Sequence, residues 1–507
     1  MAGIGIDFQS VCPERKLTVG ISGFAYVALP AAAPMLLAAA ALALMQRLNG
    51  YSEAAYDKRE LFVCTVQYIF VFSLLTSSVV RPVLSACLFD AIYEKRLDNL
   101  FPAYSMGLLL SLLFAAVPGI PFCFREWAMG GVPAFYVFAG YCGYMLLNIV
   151  LVNTACLLDF HDYERVCAAF LFGLLAGTGV SVFLSRLCGL DVLFSILLSL
   201  DAAFLLIAAL ECTLLQRYCG GNSGDYPLFL RCCLKNWKLQ LANLLYTLGA
   251  CVHNFVFWFG ERQTVIVGTF VRMKDYDMAA YAALLTTLSA GVITFARNRL
   301  YFEPYYRTFS QAITKAGGAE LDQAVERMFR QMDREWKNLL WAQLCVTIPV
   351  CMAAIAAFTA LEFADPILHI YPLLCVGYLL FFLVSAAMNF LCFLTDMDGA
   401  VMTAAGFCFV TFALSVLSAR LPDIWYGLGF TGGAAFAGAV ASARLRWLKK
   451  HMDTRIFCVG GIVERGKGKR PSGCVFDRGA ASARPHFRIK EARRPAADGN
   501  RNRKKCE

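Results

Sequence analysis

The chain has 507 residues, 59% of them hydrophobic and 16% charged, with a formal net charge of +10. Soluble domains carry about 25% charged residues, and one water-soluble core stops growing at roughly 250–300 residues. With a mean hydropathy of +0.58, the composition excludes a large soluble enzyme and makes lipid the expected solvent.

A membrane helix needs about 20 mostly apolar residues. Twelve stretches qualify, near 21–45, 61–80, 102–122, 133–157, 164–184, 190–210, 239–260, 278–295, 338–361, 371–394, 400–417 and 425–443. The first runs too long for a secretory h-region and is followed by Gln46-Arg47 instead of a small-residue cleavage site, so it is expected to be a span and not a leader. The second closes at Arg81-Pro82, and the fifth and sixth meet at a hairpin around Arg186–Gly189. An even number of spans puts both termini on one side. Lys and Arg are retained in the cytosol; with the N-terminus inside, inner segments up to Arg446 hold 20 of them and outer loops 9. The first outer loop, with Arg47, Lys58 and Arg59, opposes that balance but does not reverse it.

The spans fall into two groups of six, giving expected lobes at 1–210 and 239–448 joined by a cytosolic linker at 211–238. Gly220-Gly221-Asn222-Ser223-Gly224-Asp225 makes that linker turn-rich. Two facing lobes are a common transporter plan. The long cytosolic loop 297–337 carries a helical stripe of Leu321, Val325, Met328, Met332 and Trp336, with i,i+4 pairs Glu326–Arg330 and Asp333–Lys337. It is expected to lie along the headgroups. Residues 449–507 hold 17 Lys/Arg against 6 Asp/Glu, a net of +11, while the remainder sums to −1. This Gly-, Pro- and Arg-rich tail is expected to be disordered and to attract anionic lipid; no motif supports nucleic-acid binding.

P-loop, HExxH and GxSxG motifs are absent, so ATP-driven transport within one chain is excluded, as is a nucleotide-sugar domain in such short loops. The expectation is a protein that is not an enzyme and needs no cofactor. The 21 cysteines are scattered through the spans with no CxxC pair and read as small apolar residues. Polar groups at membrane depth are the informative ones, since a charged group at a helix centre costs about 2.5–3.5 kcal/mol. Asp201 lies mid-span and either faces a cavity or is hydrogen-bonded to a neighbouring helix. Gln240, Asn243, His253 and Asn254 load the seventh span, with Trp258 and Phe259 beyond. Amides and aromatic faces suit sugars, but the same groups serve as interhelical bonds. Asn148, Asn153 and Asn389 carry the same two readings. Arg81 either snorkels or pairs with Asp90 on the cytosolic face. Asp159-Phe160-His161-Asp162-Tyr163-Glu164 is expected to be a solvated turn.

A series of short motifs runs through these segments. It opens with Met1-Ala2-Gly3-Ile4-Gly5-Ile6, then Arg81, Asp90 and Tyr93-Glu94-Lys95-Arg96. Asp162-Tyr163 followed by Ala168–Gly173, Phe257-Trp258-Phe259 and Tyr276-Asp277-Met278-Ala279 continue it, as do Phe302, Tyr306-Arg307-Thr308-Phe309 and Ala312-Ile313. In order and spacing these motifs resemble the PelG family, and the resemblance spans about 1–457. It departs at Arg299-Leu300, where the family carries an acidic-Thr pair, and in the basic remainder. It implies an all-α polytopic protein of the MOP flippase kind, with about twelve transmembrane helices in two six-helix lobes. It also implies export of a cationic, partly deacetylated amino-sugar exopolysaccharide across the cytoplasmic membrane. A cytosolic glycosyltransferase and cyclic-di-GMP-responsive membrane proteins are the implied partners. The competing expectations are a flippase for lipid-linked oligosaccharide, an ion-coupled small-molecule antiporter using Asp201, and a scaffold for the synthase.

Overall fold

A bilayer offers backbone groups no hydrogen-bond partners, so each apolar span closes its own bonds as a helix. The computed structural model describes residues 17–452 except 95, 130, 161, 220, 287, 298–300, 316–317 and 363–364. The opening Met1–Ile6 motif, Arg299-Leu300 and the basic tail beyond 452 lie outside the described residues.

The first half contains α1 (Leu17–Leu48), α2 (Tyr56–Tyr93), α3 (Leu100–Met129), α4 (Ala134–Asp159), α5 (Tyr163–Arg186), α6 (Val192–Tyr218) and the short α7 (Pro227–Lys235). The second begins with α8 (Trp237–Trp258), an antiparallel hairpin of β1 (Thr264–Val267) and β2 (Phe270–Arg272), α9 (Lys274–Thr286) and α10 (Leu288–Arg297). It ends with α11 (Glu303–Lys315), α12 (Gly318–Ala360), α13 (Asp365–Phe393), α14 (Met397–Ser418) and α15 (Leu428–Lys450). Among the described residues ten helices are long and apolar enough to cross a membrane: α2 to α6, α8 and α12 to α15. The first expected span corresponds to α1 and the eighth to α9 and α10 in succession. Between that pair, the carbonyl of Thr286 accepts a 3.0 Å bond from the fully buried Gln343 of α12. A buried side-chain donor thus ties α12 to the end of α9.

Three expectations change. Arg81-Pro82 does not end the second helix, because α2 runs through Pro82 to Tyr93. The linker is not only turns, since α6 extends to Tyr218 and α7 buries Phe229 and Cys233 in the first core. The loop 297–337 does not lie along headgroups. Phe302 and Phe309 anchor the α11 region, Phe302 against Phe390 and Phe393 at 4.9 and 5.4 Å. Leu321, Met328 and Met332 of α12 are buried in the same core, with Val325 and Trp336 at its edge. Glu326–Arg330 forms at 2.8 Å, and Arg297 is held to buried Glu335 at 2.7 Å.

One core draws on α1 to α7 together with Phe270, and a second on residues 242–452. Helix α1 lies along both α5 and α10 and so bridges the halves. The face bearing β1 and β2 is called here the hairpin face, and the opposite one, where α15 ends, the tail face. On the tail face Arg444 grips the fully buried Asp396 with bonds of 2.6 and 3.0 Å. Within the second half α14 and α15 approach through glycines. A Cβ on Gly433 would lie 2.9 Å from the Thr411 Cα, and one on Gly429 2.6 Å from the Ser415 Cα. Small residues at such crossings let helices pack closely without a hydrophobic driving force.

Gly433→Ala is therefore expected to lower stability by about 1–3 kcal/mol, read as a fall in the melting temperature of the purified protein. Gly179→Ala, where a Cβ meets nothing within 4 Å, is the matched control and should cause no fall.

Candidate functional site at the seam between the halves

The β1–β2 hairpin turns at Gly268, whose φ of +60° is a conformation glycine adopts without a Cβ penalty. Its tip docks on α3, where the Thr269 amide donates to Oε1 of the buried Glu126 at 3.0 Å. From there β2 runs along α2. The Tyr68 hydroxyl donates to the Val271 carbonyl at 2.6 Å and accepts from the Val271 amide at 3.2 Å. The Tyr68 ring is sandwiched between Trp258 of α8 at 5.0 Å and Phe270 at 5.7 Å. One turn along, Phe72 stacks on Phe255 at 5.8 Å with planes 14° apart.

Charges close the rim of this aromatic seam. Glu60 of α2 meets Arg272 at 3.2 Å and Lys274 at 3.7 Å, and only 5% of the Arg272 side chain is exposed. Lys274 also donates to the Tyr56 hydroxyl at 3.2 Å. Lys58 pairs with Asp191, whose carboxyl is opposed by partial burial but held below the usual range by Lys58 and the Leu193 amide. Removing one partner of a nearly buried pair leaves an uncompensated charge and costs about 3–5 kcal/mol. Behind the seam, Trp258 donates through Nε1 to both oxygens of buried Asp277, at 2.9 and 3.2 Å.

The residues singled out in the sequence scatter around this seam. Trp258 is in it. His253 lies one turn behind, fully buried, with Nδ1 2.7 Å from the Tyr276 hydroxyl; Asn254 is buried beside it. Asn148 accepts from Ser111 at 2.6 Å and donates to Thr76 at 2.9 Å. Asn153 accepts from Tyr104 at 2.8 Å and lies 3.3 Å from the Cys212 sulfur. These two amides bind helix to helix. Asn243 donates to its own helix at Leu239, Gln240 lies beside the Cys233 thiol, and Asn389 is half-buried on α13. Asp201 is buried on α6, with neither carboxyl oxygen hydrogen-bonded, facing α4 at Gly143.

Of the two readings of Arg81, the pair with Asp90 is not formed. Both residues sit on the unbroken α2, nine residues and about 13.5 Å apart along the axis, and Asp90 is exposed. Asp162 is not merely solvated: it accepts from the Tyr218 hydroxyl at 2.6 Å and pairs with Arg165 at 3.0 Å. Glu60, Tyr68, Arg272 and Asp277 were not singled out as site residues. Only Asp277 carried a signal, its place in the Tyr276-Asp277 motif. Among the described residues no three His, Cys, Asp or Glu side chains form a metal-binding group.

This order of helices recurs in solved transporters. An inward-facing multidrug resistance MATE family transporter of the MOP superfamily matches with a TM-score of 0.56 at 12% identity, over 81% of this chain and 96% of that one. An outward-facing one matches with a TM-score of 0.57 at 13% identity, over 84% and 96%. A MOP superfamily transporter from Pyrococcus furiosus, titled for the reverse polarity of its binding pocket, gives 0.56 at 12% identity over 84% and 96%. The chain therefore has the MOP transporter fold and is a multi-pass membrane protein. Residues 1–457 match the family model described as "PelG: Putative exopolysaccharide Exporter (EPS-E)", and the chain belongs to that family. No curated protein sequence matches.

Glu60→Gln should release β2 from α2. Amide hydrogen exchange at Val271 is expected to quicken at least tenfold, whereas Glu53→Gln, in the turn before α2 and outside the pair, should leave it unchanged.

Proposed function

We propose that this chain exports a Pel-type amino-sugar exopolysaccharide across the cytoplasmic membrane along a path between its two six-helix lobes, 1–210 and 239–448. In this reading the hairpin face is outward, and both termini and the basic tail are cytosolic. The observation that carries it is the seam at Tyr68, Trp258 and Phe270. It joins the halves through aromatic stacking, two bonds to one backbone residue and a charged rim, all on one face. A seam of that composition can part and re-form, and when parted it offers a sugar polymer aromatic faces and hydrogen-bonding backbone. The family supports polysaccharide as the class of cargo. A cytosolic glycosyltransferase supplies the polymer, cyclic-di-GMP-responsive membrane proteins control it, and the tail holds anionic lipid.

Asp201 favours an ion-coupled cycle within the same reading. An intramembrane carboxyl with no partner is a functional group by default, given the cost of its charge there. Asp201→Asn keeps the shape and removes the titration.

Deleting the chain from its host should abolish amino-sugar polymer at the cell surface, with recovery on complementation; undiminished surface polymer would overturn the export reading. Asp201→Asn should lower export at least tenfold with an unchanged melting temperature. Full export by that variant would remove the ion-coupled step and leave the path itself intact.

A further inference from the structure

Between α2, α3 and α4 lies a cavity of about 190 Å³, walled by Tyr68, Phe72, Phe122, Tyr136, Tyr141 and Tyr144 and closed at one end by Phe270 of β2. Three of its four tyrosines turn their hydroxyls into the protein. Tyr68 bonds to the Val271 carbonyl at 2.6 Å, Tyr136 to Thr65 at 3.2 Å and Tyr144 to the Ala115 carbonyl at 2.9 Å. What faces the cavity is almost entirely ring and aliphatic carbon. A sugar or a water molecule entering it would exchange solvent bonds for none, and cavities of this kind stay dry and take apolar guests.

The cavity also has an approach. A second hollow, of about 320 Å³, shares Cys123, Val137 and Tyr141 with the first. Its outer wall consists of Ile120, Phe124, Trp127 and Phe138, which are 58%, 65%, 64% and 66% exposed. Large apolar side chains this exposed on spanning helices meet hydrocarbon, and α3 is among the least buried of the ten spans. A continuous apolar passage therefore leads from the lipid-facing surface, between α3 and α4, to the back of the seam. Pro118 and Pro121 lie inside α3 beside it, and Gly119 lets α3 press on Tyr141, where a Cβ would sit 2.8 Å from the ring. Trp127, near the hairpin-face end of α3, marks the headgroup level of that leaflet.

We infer that this passage is a lipid site: one hydrocarbon chain of a bilayer lipid from the hairpin-face leaflet enters between α3 and α4 and ends against Tyr68 and Phe270. The site backs onto the seam at Tyr68 and Phe270, and its occupancy does not depend on what the chain exports. It requires a single chain, because the inner cavity is walled by α2 behind and by Phe270 at its end.

The test uses the purified full chain in phosphatidylcholine vesicles doped with a phosphatidylcholine that carries a diazirine at its acyl end. After illumination, peptide mass spectrometry should find adducts on the inner residues Tyr136, Tyr141 or Phe122 as well as on the outer Phe124 and Phe138. Val137→Trp, which fills the shared neck, should cut the inner adducts at least fivefold and spare the outer ones. Gly140→Val, whose Cβ would lie 3.3 Å from Thr65, serves if the larger residue fails to fold. Wild-type adducts confined to Phe124, Trp127 and Phe138 would mean annular lipid only and overturn the site. Inner adducts indifferent to both substitutions would overturn the route.

Discussion

The Tyr68 phenol is the central fastening between the two halves of this protein on the hairpin face. The Tyr68 hydroxyl satisfies both the carbonyl and the amide of Val271, and its ring fills the space between Trp258 and Phe270. The ring and the hydroxyl do separate work. A phenylalanine would keep the stacking but leave two backbone groups at a buried seam without their partner, a loss of about 1–3 kcal/mol for each group left unsatisfied. The Glu60–Arg272 pair at the rim depends on this arrangement, because it forms only when β2 lies against α2. The hairpin is thus a strap belonging to the second half and fastened to the first.

The rest of the polar inventory obeys the solvent. In hydrocarbon an amide or hydroxyl is retained when a neighbouring helix answers it, and most here are answered. Asn148 joins α3 and α2, Asn153 joins α3 and α6, and Gln343 of α12 donates to the Thr286 carbonyl of α9. Asp201 stands apart because its carboxyl is buried without such an answer. That contrast, more than position along the chain, separates candidate working groups from structural ones. It also explains why a high load of polar residues in one span, as in α8, was a weak guide: Asn243 bonds within its own helix and His253 to Tyr276 of α9, and of the residues singled out there Trp258 alone reaches the seam.

Apolar runs made the spans and their order legible, since lipid imposes length and composition on each one. The family was legible in short aromatic and charged motifs, and two of those motifs meet in space, with Trp258 bonded to Asp277 and Phe257 4.0 Å from Tyr276. What the sequence hid was anything made by partners distant along the chain. Tyr68 is one aromatic among many until Val271, 203 positions away, lies beside it. The end of α2 was misjudged because Pro82 suggests a stop, whereas a membrane helix can carry proline in its interior. The stripe from Leu321 to Trp336 was seen correctly as one face, but its burial depended on α13, which supplies the core it packs on.

The account rests on the strap opening during transport. Spin labels on Asp57 at the start of α2 and Gln263 before β1, both exposed, report the distance across the seam by pulsed electron resonance. In membranes actively exporting polymer, two populations are predicted, one close and one separated, with Glu60→Gln enriching the separated one. A single close population that persists during undiminished export would contradict the account.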